Sequence, residues 1–140
     1  MNSMKILPIV IMIAALFLNV SCDEFDVCNI YLYNNSNDTI SVFGCQTFEE
    51  ADTVTTKAAF KYYPDYFIKI LPKETKETKV QVNTYAAGQF LIFKEQTFKE
   101  QTIDEIMNKD LCDKKIVIKI SDLSEYDLET MKHVVEYNGK

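Results

Sequence analysis

Short runs of apolar and β-branched residues, separated by turn-forming residues, recur along the chain from residue 27 onwards. Alternation of apolar and polar side chains over about four to eight residues is typical of a half-buried strand, because successive side chains point to opposite faces. This pattern predicts strands over residues 27–33, 39–45, 67–71, 80–85, 89–94, 115–120 and 133–137. The apolar residues of the range 89–94 follow one another without interruption, which indicates a central strand that is buried on both faces.

One short helix is predicted late in the chain, over residues 102–110. Thr102 stands three residues before Glu105, which is the spacing of a capping box at a helix N-terminus. A second helix start at Ser124 supports only a turn or two. Together, these elements predict an all-β, immunoglobulin-like β-sandwich of about seven strands with one short late helix, formed by residues 28–140 as a single domain.

The first two predicted strands are joined by residues 34–38, which are all Asn, Ser or Asp. Such a dense turn signal between two β-rich runs predicts a hairpin. If the turn is centred between its third and fourth residues, Cys28 faces Cys45 across the two strands. This register predicts a disulfide between Cys28 and Cys45, and the alternative leaves both of them and Cys112 as buried free thiols.

The first 21 residues have the composition of a secretory signal peptide. A positive charge at Lys5 precedes a mostly apolar run over residues 6–18, and the small residue Ser21 closes the segment. The run is shorter than the roughly 18 residues that a membrane-spanning helix needs. The sequence therefore favours a cleaved signal-peptide helix, and a membrane anchor helix is the alternative.

Cys22 follows directly, and the stretch from Leu18 to Cys22 resembles the lipobox of bacterial lipoproteins. In those proteins the cysteine becomes the first residue of the mature chain and carries fatty acids such as palmitate. Polar Asn19 departs from the apolar residue that is usual at its place, and this looseness resembles the signals of Bacteroidetes. The resemblance implies lipidation of Cys22 and stable anchoring, since each buried CH₂ contributes about 0.8 kcal/mol.

Residues 22–27 contain the acidic side chains Asp23, Glu24 and Asp26, which favour a solvated tether. This run resembles the acidic export signal of surface-exposed Bacteroidetes lipoproteins, which implies the outer membrane. A competing rule retains lipoproteins with Asp directly after the lipidated cysteine in the inner membrane, and it stays open. The net charge of −6 argues against nucleic acid as a partner and leaves the lipid anchor as the membrane contact.

From Cys28 to Tyr137 the order of parts resembles a group of small uncharacterised Bacteroidetes lipoproteins. The resemblance rests on loose structural motifs, which are Tyr33-Asn34-Asn35-Ser36, Tyr63-Pro64-Asp65, Leu91-Ile92-Phe93, the helix over 102–109, Ile120-Ser121-Asp122-Leu123-Ser124, Asp127-Leu128 and Val135-Glu136-Tyr137. The chain departs from that group at His133, where Trp is usual, and at Asn138, where Pro is usual. The resemblance implies secretion, lipidation and a β-sandwich, and it implies no known activity.

His133 is the only histidine, so Ser–His–acid catalysis or a histidine-containing zinc site would have to use it. The alternating pattern around it favours a structural or exposed strand residue, and the chain has no Gly-x-Ser-x-Gly nucleophile elbow. Cys112 paired with His133 as a nucleophile is disfavoured on the same ground. The three glycines are isolated, which argues against a phosphate-binding loop. We therefore predict no catalytic, cofactor-binding or metal-binding residues.

Five tyrosines suggest a binding face, because aromatic rings can stack on the apolar faces of sugars. They are Tyr31, Tyr33, Tyr62, Tyr63 and Tyr66. The simpler interpretation is that these rings fill the core and flank the sheets. Thr39 and Thr53 each stand between an Asp and a β-branched residue, which resembles the three-residue acceptor motif for O-glycosylation in Bacteroidetes.

These observations predict a lipid-anchored cell-envelope lipoprotein with a structural or interaction role. A surface module that binds glycan or peptide is the leading alternative, and a hydrolytic enzyme is a distant third. The three hypotheses differ in the structure they require. A binding module needs exposed aromatic rings on one sheet face, and a hydrolase needs His133 in a pocket with an acid and a nucleophile.

Overall fold

The computed structural model describes residues 27–47 and 54–140, and within these ranges it contains seven β-strands and four short α-helices. The strands are β1 (Cys28–Asn34), β2 (Ile40–Thr47), β3 (Phe67–Ile70), β4 (Thr75–Val82), β5 (Ala87–Lys94), β6 (Lys114–Ile118) and β7 (Lys132–Tyr137). The helices are α1 (Thr56–Tyr62), α2 (Glu95–Glu100), α3 (Ile103–Asn108) and α4 (Glu125–Thr130). The predicted signal peptide, Cys22 with its acidic tether, and Thr53 lie outside the described residues.

The seven strands form two sheets that pack as a β-sandwich, which confirms the predicted class and strand number. The three-stranded sheet has the order β4-β1-β7, in which β1 runs antiparallel to β4 and parallel to β7. Asn29 in β1 lies opposite Lys132 in β7. The four-stranded sheet has the order β3-β2-β5-β6 and is antiparallel throughout.

The main hydrophobic core lies between the two sheets, because alternate residues of each strand point inwards. Its buried side chains are Cys28, Ile30, Leu32, Ile40, Val42, Ile70, Val80, Val82, Phe90, Ile92, Ile118, Val135 and Tyr137. Both sheets contribute to this layer, so neither is stable as a bare sheet with its inner face in water.

Helices cover the outer face of the four-stranded sheet and bury a second core there. The buried members of this core are Phe43, Cys45, Ala59, Leu91, Phe93 and Ile106. Six of the eight residues of β5 are buried, which confirms that it is the central strand with both faces covered. The molecule therefore has three layers, with the four-stranded sheet in the middle.

The two sheets approach closely where β4 passes over β2 and β5. A Cβ atom placed on Gly44 would lie 2.4 Å from Val80 Cγ2, and one on Gly88 would lie 2.8 Å from Val80 Cγ1. Both distances are shorter than side chains tolerate. Glycine is therefore required at both positions by the close packing of Val80 against the opposite sheet.

The hairpin predicted between β1 and β2 is wrong, because the two strands belong to different sheets. The Asn-rich segment forms a corner instead, and Asn34 at its start is fully buried. The Asn34 amide donates hydrogen bonds to the carbonyl oxygens of Asp38 at 2.7 Å and Ile70 at 3.2 Å. Its Oδ1 accepts from the Ser36 hydroxyl at 2.6 Å. These bonds direct the chain from one sheet into the other.

The immunoglobulin-like arrangement is not confirmed by this strand order. In the constant-type immunoglobulin order, the first and second strands are neighbours in one sheet, and the sixth and seventh are neighbours in the other. Here each of those pairs is split between the two sheets. The second strand instead pairs with the third and the fifth, and the first pairs with the fourth and the seventh.

Four short helices occur where one was expected within the described ranges. The predicted late helix is confirmed as α3, and Thr102 and Glu105 form the capping box. The helix start at Ser124 is confirmed as α4. Helix α1 lies between the second and third strands, where the sequence predicted no helix, and it is capped by the hydroxyl of Thr55. Its buried Ala59 packs against the four-stranded sheet, which periodicity over so few residues does not reveal.

Candidate functional site

An open groove of about 700 Å³ lies between α4 and the first half of β7. The residues that line it are Tyr126, Asp127, Thr130, Lys132, His133 and Val134. Tyr126 is 71% exposed and Val134 is 58% exposed, so two of its walls present apolar surface to solvent. The groove opens along one edge of the three-stranded sheet, since β7 is an edge strand.

Local sequence chemistry explains how α4 and β7 come together. The Ser124 hydroxyl accepts the Asp127 backbone N–H at 3.1 Å, and Asp127 Oδ2 accepts the Ser124 backbone N–H at 2.9 Å, which completes a capping box. The helix ends at Met131, whose φ of 58° is left-handed and reverses the chain into β7. Helices commonly end on such a residue, although glycine is the usual choice.

His133 and Asp127 form a pair at the base of the groove. His133 Nδ1 lies 2.8 Å from Asp127 Oδ2, and both side chains are largely buried. The Ser124 backbone N–H and then His133 hold the pKa of the Asp127 carboxyl below its usual range. The carboxylate therefore stabilises the fold above its unfolded-state pKa, and this contribution is lost as the pH falls through the lower folded-state pKa.

The pair supplies an imidazole oriented by a carboxylate, which is two thirds of a nucleophilic triad. Among the described residues, no hydroxyl or thiol is recorded within hydrogen-bond distance of the His133 ring. The Thr130 hydroxyl donates instead to the Tyr126 carbonyl at 2.8 Å. The Ser124 hydroxyl accepts the Asp127 N–H in the capping box. The geometry thus accounts for His133 as the residue that fixes α4 against β7.

The predicted disulfide between Cys28 and Cys45 is wrong, since both thiols are free. Cys28 points into the core between the sheets, whereas Cys45 points towards the helices on the other face of the four-stranded sheet. Burial raises the pKa of the Cys45 thiol to about 12 and also raises that of Cys112. Cys45 is fully buried and Cys112 is half-buried, and a thiol that burial keeps neutral is a weak nucleophile, so both side chains behave as small apolar residues.

The outer face of the three-stranded sheet, which we call the open face, is not covered by any described element. Tyr31 and Tyr33 lie at its centre on β1, half-buried between the two neighbouring strands. Asn29 lies on the same face of β1. The cross-strand neighbours of these three residues are Gln81, Glu77 and Thr75 on β4, and Lys132, Val134 and Glu136 on β7. The open face therefore presents two aromatic rings within a border of hydrogen-bonding and charged groups.

The other three tyrosines of the proposed aromatic set lie elsewhere. Tyr62 is exposed on α1, and the rings of Tyr63 and Tyr66 meet edge to face with centroids 6.1 Å apart beside the four-stranded sheet. The five rings therefore do not form one surface. The sequence identified Tyr31 and Tyr33, but it could not separate them from the tyrosines that follow α1.

Thr39, the first predicted glycosylation residue, is half-buried just before β2. Its carbonyl oxygen accepts the Glu95 N–H at 3.0 Å, so its backbone is held at the start of α2. Within residues 27–47 and 54–140, no cluster of His, Cys, Asp and Glu side chains could hold a metal ion. In the same ranges no helix has the length and apolar character needed to cross a bilayer.

Sequence reasoning missed the pairing of His133 with Asp127. It assigned Asp127 to a helix start and His133 to a strand, and the structure places both correctly assigned elements in contact. Two side chains six residues apart lie on different faces of a helix, and in one strand they would be about 20 Å apart. The contact forms because the chain reverses at Met131 between them. The sequence did not predict the left-handed turn at Met131, because glycine or asparagine is the usual sign of such a turn and methionine is not.

Comparisons with protein-family models, with curated proteins and with solved structures found no match to this chain.

Proposed function

We propose that the chain is a lipid-anchored cell-envelope protein whose folded domain acts by binding another surface component rather than by catalysis. Cys22 would carry the lipid, and the open face would carry the binding role. The observation that carries the interaction role is the contrast between the two sheets. The four-stranded sheet is covered on both faces, whereas the three-stranded sheet leaves one face bare with Tyr31 and Tyr33 at its centre.

The composition of the open face supports binding. Tyrosine is enriched in recognition surfaces, because it offers a large rigid ring together with a hydroxyl. The Tyr31 ring also has Lys132 Nζ 5.9 Å from its centroid, and the Gln81 amide donates to Asn29 Oδ1 at 2.9 Å. These contacts hold the polar border in place around the rings, which lowers the entropy lost when a ligand binds.

The position of β1 supports anchoring through Cys22. Strand β1 begins at Cys28, so residues 22–27 separate the proposed lipid from the sandwich. An extended chain spans at most about 3.6 Å per residue, which places the start of β1 within roughly 22 Å of Cys22. The acidic residues of this tether favour the outer membrane, with the inner membrane as the alternative destination.

Replacing Cys22 with alanine is expected to release the protein from the membrane fraction into the soluble fraction of the envelope. The reason is that an unlipidated cysteine site leaves no fatty acid to hold the chain at the bilayer. Fractionation followed by immunoblotting measures the distribution. Cys112→Ala is the matched control, since the same substitution away from the lipidation site should leave the protein membrane-bound. Retention of the Cys22→Ala protein would favour the anchor-helix interpretation and contradict lipidation.

More specifically, we propose that the open face binds a surface glycan. Sugars present apolar faces to aromatic rings and hydroxyls to side chains such as Asn29, Glu77 and Gln81, which surround Tyr31. A peptide is the other candidate, since the same border can pair with backbone amides. Binding assays that offer both ligand classes distinguish the two.

Replacing Tyr31 and Tyr33 together with alanine is expected to weaken glycan binding roughly tenfold or more, because central aromatic residues dominate binding surfaces. An array of polysaccharides first identifies the polysaccharide to which the unmodified protein binds. Affinity is then measured by the slower migration of the protein in gels that contain this polysaccharide. Tyr62→Ala is the control, since that ring is exposed on α1 away from the open face. Equal loss in the control, or no loss in the double variant, would exclude the open face as the site.

A further inference from the structure

The outer edge of β7 has unpaired backbone groups along its length. Asn29 N–H donates to the Met131 carbonyl and Asn35 N–H donates to the Tyr137 carbonyl, so odd-numbered residues of this segment face β1. Along a strand, the backbone N–H and C=O groups of successive residues point to opposite sides. The N–H and C=O groups of Lys132, Val134 and Glu136 therefore point away from the sheet. Among the described residues, no strand pairs with that edge.

The Lys132 carbonyl has one weak local contact. The Thr130 hydroxyl lies 3.5 Å from it, but this hydroxyl is 2.8 Å from the Tyr126 carbonyl and donates its proton there. The edge is thus open beside the groove between α4 and β7.

The other three sheet edges each carry a feature that discourages pairing, whereas β7 carries a single lysine, Lys132, whose charge Glu136 balances within the strand. Strand β4 has an irregular register and a left-handed residue at Lys79, with φ 61°. Strand β6 contains Lys114 and Lys115 and no acidic residue, and β3 has only four residues. Bulges, lysines and short length are the devices by which proteins protect exposed edges. Strand β7 has six residues in a regular register with β1 and no bulge, and its one lysine is matched by Glu136, so this edge is suited to pairing.

The side chains of β7 match a second copy of the same strand. Lys132, Val134 and Glu136 are evenly spaced, with opposite charges on either side of Val134. In an antiparallel pair centred on Val134, Lys132 of one copy faces Glu136 of the other, and the reverse pair has the same complementarity. In both copies, the backbone N–H and C=O groups of these three residues point out from the sheet edge. Each facing pair can therefore form two backbone hydrogen bonds.

We propose that the protein forms a two-fold symmetric dimer through antiparallel pairing of β7 with β7 of a second copy. The pairing extends the three-stranded sheet of each copy into one continuous sheet. It also joins the two open faces side by side, since Val134 belongs to the open face. The interaction requires no lipid anchor, so it stands independently of the function proposed above.

The groove beside α4 fits the segment that follows β7 in the second copy. In the proposed register the strand of the second copy ends opposite Met131, so its residues 138–140 leave the sheet beside the groove. Asp127 lines the groove and Glu129 lies on the same helix, and Lys140 of the second copy brings a positive charge towards them. The groove of about 700 Å³ is large enough for an extended segment of a few residues.

Charge reversal at the two ends of β7 tests the dimer directly. Lys132→Glu places Glu opposite Glu at both ends of the pair, and Glu136→Lys places Lys opposite Lys. Each single variant is expected to weaken self-association about tenfold or more, because like charges facing each other across a strand pair repel. The double variant Lys132→Glu/Glu136→Lys restores complementarity and is expected to dimerise like the unmodified protein.

Mixing the two single variants sharpens the test. Each variant alone is expected to dimerise about tenfold more weakly than the unmodified protein, but a heterodimer of one with the other has complementary charges at both ends. Native mass spectrometry of the full-length proteins extracted in detergent measures the masses over a range of concentrations. Both substituted residues are exposed, and the Glu136 carboxylate accepts a hydrogen bond from the Asn35 amide at 2.6 Å, so circular dichroism checks that each variant keeps the fold. A monomeric unmodified protein, or dimers that persist equally in every variant, would overturn the proposal.

A crosslinking measurement identifies the residue at the centre. Val134→Cys should yield a disulfide-linked dimer after mild oxidation, because the two-fold axis brings the two copies of this residue together. Glu77→Cys is the matched control, since Glu77 lies in the same cross-strand row of the open face but on the opposite edge strand. The protein is then denatured in an excess of alkylating agent, so that Cys28, Cys45 and Cys112 are blocked as they become exposed. Equal crosslinking of both variants would contradict the register.

Discussion

Replacing Phe93 with alanine is expected to lower the free energy of unfolding by about 3–5 kcal/mol. Phe93 is fully buried in β5, between the four-stranded sheet and the helices. The centroid of its ring lies 5.4 Å from that of Phe98, 6.0 Å from that of Phe43 and 6.1 Å from that of Phe60. Its removal leaves a cavity at the point where three other rings converge, which the surrounding sheet cannot close. Equilibrium unfolding in urea measures the difference.

Phe67→Ala is the matched control for this prediction, because it removes the same atoms from a neighbouring position. The Phe67 ring also contacts Phe43, with centroids 4.8 Å apart, but Phe67 is 43% exposed on the edge strand β3. Its loss is expected to cost only about 1 kcal/mol, since water already reaches much of the ring. Equal losses for both variants would mean that the helices do not pack tightly around Phe93.

Gly44→Ala is expected to destabilise the fold by about 1–3 kcal/mol, although it adds only one methyl group. The new Cβ would overlap Val80 Cγ2 and would also lie 3.3 Å from the Thr78 carbonyl oxygen. Val80 is fully packed and β-branched, so it cannot rotate away without strain. Part of the strain must be relieved by separation of the two sheets. Urea unfolding of the variant measures the cost.

A double-mutant cycle with Val80→Ala tests the origin of that cost. The second substitution removes the methyl group that the new Cβ meets, so the double variant should be more stable than the sum of the two single effects predicts. The expected coupling is about 0.5–3 kcal/mol, as for residues in direct contact. Val135→Ala is the control partner, because Val135 lies on β7 in the same core and is not among the nearest neighbours of a Cβ placed on Gly44. Additivity with Val80 would contradict the packing described above.

Periodicity in the sequence located six of the seven strands to within about two residues, but it did not pair them. It was wrong for the fourth strand, which was predicted over 80–85 and spans Thr75–Val82, because the Lys, Glu and Thr residues before Val80 carry no apolar pattern. The unbroken apolar run in β5 predicted a strand buried on both faces, and Thr102 with Glu105 predicted the start of α3, because both signals are local. The hairpin prediction was wrong because the corner formed by Asn34 depends on a hydrogen bond to a residue far away in the sequence. Its amide binds the Ile70 carbonyl at the end of β3, and no neighbouring residue signals that bond.

The candidate sites show the same division between local and long-range information. Tyr31 and Tyr33 share a face because they are two residues apart in one strand, which the sequence states directly. Which face is covered depends on α1, α2 and α3, which pack against the outer face of the four-stranded sheet. The exposed edge of β7 is likewise invisible in the sequence, because it follows from the parallel pairing of β1 with β7.

That parallel pairing also governs when the chain can fold. Asn29 at the start of β1 pairs with Lys132 in the last strand, so β1 has no neighbour on that side until nearly the whole sequence is present. Contacts between segments so far apart in sequence form slowly, because the intervening loop must close first. A chain exported as proposed would therefore stay unfolded while it is threaded through a translocation channel. Folding would be completed only after β7 emerges on the far side, which suits a protein that has to cross a membrane before it functions.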